Sequence, residues 1–208
     1  MIKAVVLDIG GVLMRTEDPS GRRLLEKRYN LPEKSVDWLV FDSEEAAAST
    51  IGKVEAKVAW QAVQKRLNLS DEELDEFIEL FWAGDVFDQA AFDYLSSLRP
   101  EYITGILSNA WEGARENFLQ RCGIIEGQTV DHMLISAEEG VRKPDPEIYR
   151  RLKAALGVEY DEILFVDDFI QNIEGARALS IQAIHYQPGM NLINQIKSRL
   201  ESEDQNPR

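Results

Sequence analysis

The sequence predicts an α/β fold: a parallel sheet covered by helices on both faces, with a block of helices inserted after the first strand. Three observations carry this. From residue 104 onward, short apolar runs ending in polar residues alternate with helical patterns, as strands and helices do when a parallel sheet is buried between helices. A first apolar run, Val5-Val6-Leu7, stands apart near the N-terminus and ends in Asp8. Between them, roughly residues 16–86 are rich in Glu, Ala, Lys and Leu, with apolar residues at helical spacing.

The elements follow in order. The first strand delivers Asp8 to a turn, where Gly10 and Gly11 let backbone and ligand approach closely. In the insert, residues 22–29, 54–67 and 72–82 read as helices, and Ser70 with Glu73 three positions on makes a capping box for the last. Trp38, Trp60 and Trp82 fall at apolar positions and are expected inside the insert. Beyond it, residues 104–107, 132–135, 163–166 and 182–185 read as strands, and 111–122, 146–156 and 170–179 as helices. Asp145 before Pro146 is an N-cap with proline at the first helical position, and Gly157 closes that helix. The polar tail, 201–208, is expected to fray. His132 and His185 sit in strands and are expected to be satisfied or at an edge.

Composition narrows the function. The chain has 208 residues, enough for one core plus an insertion. Its formal charge of −14 argues against nucleic acid, which needs clustered Lys and Arg, and against an anionic membrane surface. A small phosphorylated metabolite remains compatible, because a metal and one lysine can invert the potential locally. The single cysteine, Cys122, permits no internal disulfide and fits a reducing cytoplasm as an inert, partly buried thiol. No apolar run is long enough to span a bilayer, and Asp8 interrupts the apolar N-terminus.

Four polar segments lie at strand ends or just beyond: Asp8 with Gly10-Gly11, Ser108-Asn109, Arg142-Lys143-Pro144 and Asp167-Asp168. Each alone has an ordinary structural reading, as a glycine turn, a helix N-cap, a solvated lysine or a pair of capping acids. Together they have the layout of an α/β active site. Their order and content resemble the haloacid dehalogenase-like hydrolases over essentially the whole chain. Asp-Ile-Gly-Gly, Ser-Asn, Arg-Lys-Pro and Asp-Asp with Asn172 resemble most the subgroup holding bacterial sugar-1-phosphate phosphatases, to which the phosphatase domain of epoxide hydrolases is related. The resemblance implies a Rossmann-like three-layer core, residues 1–15 and 87–208, and a small helical cap, residues 16–86, over the site.

The resemblance also assigns chemistry. Asp8 is the nucleophile, and an anion attacking a phosphate requires a cation, here Mg²⁺. Asp8, Asp168 and the Gly10 carbonyl are the metal ligands, while Asp167 orients Lys143 or the loop. Lys143 pairs with Asp8 and the phosphoryl group, and being before Pro144 it sits in extended backbone. Ser108 and Asn109, at a helix start, offer a hydroxyl, an amide and backbone N–H groups to phosphate oxygens. Asn172 holds a metal-bound water or the loop. One departure matters: Gly10 stands where most phosphatases of the family carry an aspartate that protonates the leaving oxygen. A positioned acid is worth roughly 10²–10⁴ in rate, so slow turnover is expected, with a sugar 1-phosphate as a favourable leaving group. Two alternatives stay open: a metal-independent 2-haloacid dehalogenase, with Arg22 or Arg23 on the halide, and a non-catalytic phospho-ligand or protein-binding module. Arg15, Glu17, Arg22 and Lys53 are candidate substrate readers in the insert, and Trp111 a candidate for the site entrance.

Overall fold

The structure, a computed structural model, describes residues 1–204. Strand β1 (Ala4–Leu7) leads into β2 (Met14–Thr16). Five helices follow: α1 (Ser20–Arg28), α2 (Val36–Phe41), α3 (Glu44–Ser49), α4 (Ala56–Leu67) and α5 (Asp71–Trp82). Strand β3 (Asp85–Phe87) returns antiparallel to β2, so this short ribbon carries the helical block on two adjacent stems. Then come α6 (Gln89–Ser97), β4 (Ile103–Ser108), α7 (Ala114–Cys122), β5 (His132–Ile135), α8 (Ser136–Glu139) and α9 (Pro146–Leu156). A 3-10 turn (Tyr160–Glu162), β6 (Ile163–Asp167), α10 (Ile170–Ala178), β7 (Gln182–His185) and α11 (Leu192–Asp204) complete the chain.

The main sheet is fully parallel, in the order β5-β4-β1-β6-β7. Side chains alternate across a strand, and β1 shows it: Val5 and Leu7 pack on one face with Phe92, Leu95, Leu192 and Ile196, while Ala4 and Val6 pack on the other with Ile148, Leu152 and Ile173. Helices α6 and α11 thus cover one face and α9 and α10 the other, giving three layers. From β1 the chain builds outward through β4 and β5, then crosses to β6 and β7 on the opposite side. That reversal puts a crevice at the carboxyl end of β1, where ligands bind in such sheets.

The inserted helices hold a core of their own, with Leu25, Val36, Leu39, Val40, Val63, Phe77 and Phe81 buried together. The Ser70–Glu73 capping box forms as its spacing predicts, and α9 keeps its Asp145 cap, Pro146 and left-handed Gly157. Several expectations need correcting. Trp38 is 69% exposed, not core, because α2 turns Val36, Leu39 and Val40 inward and Trp38 lies off that stripe. The helix expected from residue 111 starts at Ala114, after Gly113 takes a left-handed φ of 80°. The expected fray at 201–208 fails in its first half, since α11 runs to Asp204 on the anchors Leu192, Ile196 and Leu200; the rest lies outside the described residues. Among the described residues no helix is long and apolar enough to cross a membrane.

Candidate active site

The sheet brings the four polar segments together. Leu7 lies in register with Ile106 on β4 and Val166 on β6, so Asp8 emerges between Leu107 and Asp167. Its backbone N–H still donates to the Val166 carbonyl at 2.9 Å, holding the residue at the strand end. Just past it, the Gly10–Met14 pairing runs from the Gly11 N–H to the Met14 carbonyl and from the Met14 N–H to the Ile9 carbonyl. Neither bond uses the Gly10 carbonyl. Gly11 is required where it stands: its φ is 74°, and a Cβ there would fall 2.0 Å from Asp168 Oδ2. The carboxylate of Asp168 is therefore packed onto bare backbone beside Asp8.

Lys143 is the hub. Its side chain is wholly buried, and Nζ donates to Asp167 Oδ2 at 2.6 Å and the Leu107 carbonyl at 2.8 Å, and pairs with Asp8 Oδ1 at 3.0 Å. The ammonium thus has three oxygen partners for its three protons, and the ring of Phe165 lies 5.3 Å away. Asp167 is spent on support: Oδ2 takes Lys143, Oδ1 takes the Phe169 N–H at 2.8 Å, and Asn172 Nδ2 donates to both oxygens at 3.0 and 3.1 Å. Asn172 is held in turn by the Tyr149 hydroxyl, which donates to its carbonyl at 2.7 Å.

Burial pushes the Asp8 carboxyl up to about 8, with Asp167 and Asp168 adding to the rise against the pull of Lys143. Burial and Asp167 raise Asp168 to about 6. For Lys143 burial works downward, but Asp8 and Asp167 outweigh it and hold the ammonium above the ordinary lysine range. One lysine is too little charge for three acids. One oxygen from each of Asp8, Asp167 and Asp168 lies within 4.8 Å of the others. With Asp167 committed elsewhere, Asp8, Asp168 and the unused Gly10 carbonyl remain, an all-oxygen donor set that fits a hard divalent cation.

Other expected site residues are placed differently. Asn109 does not turn its amide outward: Nδ2 donates to the Lys143 carbonyl and Oδ1 accepts the Lys143 N–H, both at 2.9 Å, so it clamps the lysine's backbone. Nor do Ser108 and Asn109 open a helix, since Gly113 delays α7 by a turn. Ser108 is buried at the end of β4 beside Asp8's strand. Arg15 is tied to Asp88 at 2.9 Å and Arg22 to Asp37 at 2.5 Å and Asp85 at 2.9 Å, so both brace the ribbon and helix block instead of standing free to read a ligand. Glu17 joins Arg15 there at 3.4 Å, and Lys53 is exposed. Trp111 packs against the inserted helices, its ring 5.4 Å from Trp60 and 5.9 Å from Phe41. His185, on an edge strand, hydrogen-bonds the Asp168 carbonyl at 2.9 Å; His132 lies on the other edge. Sequence reading missed Ser136, whose hydroxyl accepts the Ala110 N–H at 3.0 Å and fixes the loop after β4; nothing in its sequence context marks it.

A parallel sheet between two helix layers, with a lysine-bridged acid cluster at its central strand end, has the layout of an α/β active site. The family model for haloacid dehalogenase-like hydrolase matches residues 2–179, and the chain belongs to that family. It is 27% identical over 194 residues to a phosphatase of Mycobacterium tuberculosis, covering 88% of this chain and 86% of that one. In structure it is similar to a family enzyme of Bacteroides thetaiotaomicron solved with magnesium and inorganic phosphate, at TM-score 0.74, 18% identity, and coverage of 92% and 97%. It is also similar to an L-2-haloacid dehalogenase of Xanthobacter autotrophicus, at TM-score 0.64, 20% identity, and coverage of 100% and 85%. The chain is a hydrolase.

Proposed function

We propose that this hydrolase is a Mg²⁺-dependent phosphatase that acts on a small phosphorylated metabolite through an aspartyl-phosphate on Asp8, with the helices of residues 16–86 as its cap. One observation carries the reading: Asp8 and Asp168 stand side by side with raised pKa values, next to a lysine whose three protons are already placed. Such a pair calls for a cation. Mg²⁺ held by Asp8, Asp168 and the Gly10 carbonyl would supply the positive charge that lets a phosphate dianion approach. The Asp8 oxygen not paired with Lys143 attacks phosphorus, and the ester P–O bond breaks. Lys143 balances charge on Asp8, held at the right depth by Asp167 and by Asn109 on its backbone. Water then attacks phosphorus, releases inorganic phosphate and restores Asp8.

The alcohol leaves without a side-chain acid at position 10, so good leaving groups are favoured; the subgroup resemblance suggests a sugar phosphate. The dehalogenase alternative loses one of its two proposed halide cations, because Arg22 is held by Asp37, Asp85 and the Phe81 carbonyl, and it keeps Arg23, which is exposed. The test is beryllofluoride trapping with Mg²⁺ followed by a phosphatase assay on the same protein. Stoichiometric trapping that D8N abolishes, with turnover that EDTA stops, is expected. Turnover of 2-haloacids without metal, or no trapping at all, would overturn the reading.

A further inference from the structure

Four polar side chains near the strand end of Asp8 are committed to other protein groups. Asn109 is bound to the Lys143 backbone, Ser136 to Ala110, Asn172 to Asp167 and His185 to the Asp168 carbonyl. Among the described residues, Lys143 is the one cation paired with Asp8 or Asp167, and its protons are used. Strands β4 and β6 flank β1, so the segments that follow them leave the sheet on either side of Asp8's strand end. The loop after β4 carries Trp111, and after β6 come Phe169 and Ile170, the latter opening α10. Phe169 is 61% exposed and Ile170 39%, although their neighbours on β6 are buried. Across from Trp111, Phe41 of the inserted helices meets its ring and keeps 40% exposure.

We propose that the alcohol part of the substrate is apolar, a phosphate monoester of an aliphatic or aromatic alcohol, bounded by Trp111 and Phe41 on one side and by Phe169 and Ile170 on the other. This rests on the phosphatase reading, replaces the sugar suggested there, and has contact with the apolar chain offset the poorer leaving group of an alkyl ester. A sugar ring brings several hydroxyls, and each loses its water on binding. The four side chains that would bound it return one donor, the Trp111 indole N–H, and unpaired polar groups are costly to desolvate. An alkyl chain asks for contact only. In the reaction the P–O bond to the alcohol breaks, Asp8 takes the phosphoryl group, and the alkoxide takes its proton from water, whose oxygen ends in the inorganic phosphate.

The experiment measures kcat/KM of the Mg²⁺-loaded protein for a series of n-alkyl monophosphates from C2 to C10, for glucose 1-phosphate, and for acetyl phosphate. Acetyl phosphate needs no leaving-group acid and is too short to reach the apolar wall, so it reports the chemistry alone. The expected result is a rise of about fourfold per methylene over the first several carbons, the burial value of one CH₂, with the longer alkyl esters exceeding glucose 1-phosphate despite its better leaving group. Phe169→Ser should flatten that slope; the slope is measured within one protein, so any change in basal rate cancels. Acetyl phosphate turnover with a flat series, or with glucose 1-phosphate preferred, overturns the inference and leaves the phosphatase reading standing. No turnover of acetyl phosphate and no trapping of Asp8 would sink both.

Discussion

Gly10→Asp tests the proposed missing-acid account directly. An ideal Cβ at Gly10 meets no atom within 4 Å, and the backbone there is not in the left-handed region, so a side chain enters open space without strain. Gly10 is exposed, and neither bond of its pairing with Met14 involves its own N–H or carbonyl, so the turn and the proposed metal contact survive. A carboxyl at this position stands two residues past Asp8, where the resemblance puts the leaving-group acid of related phosphatases. A positioned acid contributes roughly 10²–10⁴ in rate, a barrier lower by about 3–5 kcal/mol. The assay compares ethyl phosphate, a poor leaving group, with acetyl phosphate, an activated one, in both proteins with Mg²⁺. Ethyl phosphate turnover should rise at least about a hundredfold, and acetyl phosphate turnover by far less. The open space removes steric conflict as an excuse. If the variant folds, traps beryllofluoride with Mg²⁺ and still shows no gain on ethyl phosphate, the missing-acid account is wrong.

Three other outcomes follow from the same geometry. Lys143→Met removes the partner of two buried carboxylates; it should cost about 3–5 kcal/mol of stability, read by denaturant titration, and abolish trapping of Asp8. Without metal, stability should fall as pH rises. Asp168 and Asp8 are raised to about 6 and 8, above their unfolded values near 4, so the folded state holds more protons between those limits; their contribution is full below about 4 and lost through 6 and 8. Thermal melts at pH 5, 7 and 9 should show this decline, with stabilisation by Mg²⁺ growing in the same direction. Ser70→Ala should destabilise by about 1 kcal/mol through loss of the α5 cap and leave turnover unchanged, as a melt and an assay would show.

The strands of the main sheet were legible because each is an apolar run bounded by turn residues, and α9 because cap, proline and closing glycine all agree. Helices α2 and α3, six residues each, and the three-residue strands β2 and β3 are too short to show a period. Helix α11 did carry a readable signal, Leu192, Ile196 and Leu200 four apart, and α6 carried another in Ala91, Phe92 and Leu95. Of the site, the sequence marked Asp8, Lys143, Asp167 and Asp168. It could not mark what Asn109 does, because an asparagine beside a serine reads equally as ligand contact or backbone clamp until its partner is known.

By itself, then, the order of residues determined the layered architecture, the acids and lysine that the sheet brings together, and the absence of a carboxyl at position 10. These are local facts: period, punctuation and residue type. Which polar groups are consumed in holding the others, and which aromatic side chains stay exposed, depended on residues far apart in the chain meeting across β4, β1 and β6. Hydrogen-bond partners and exposure belong to pairs and neighbourhoods, and only the folded chain supplies those.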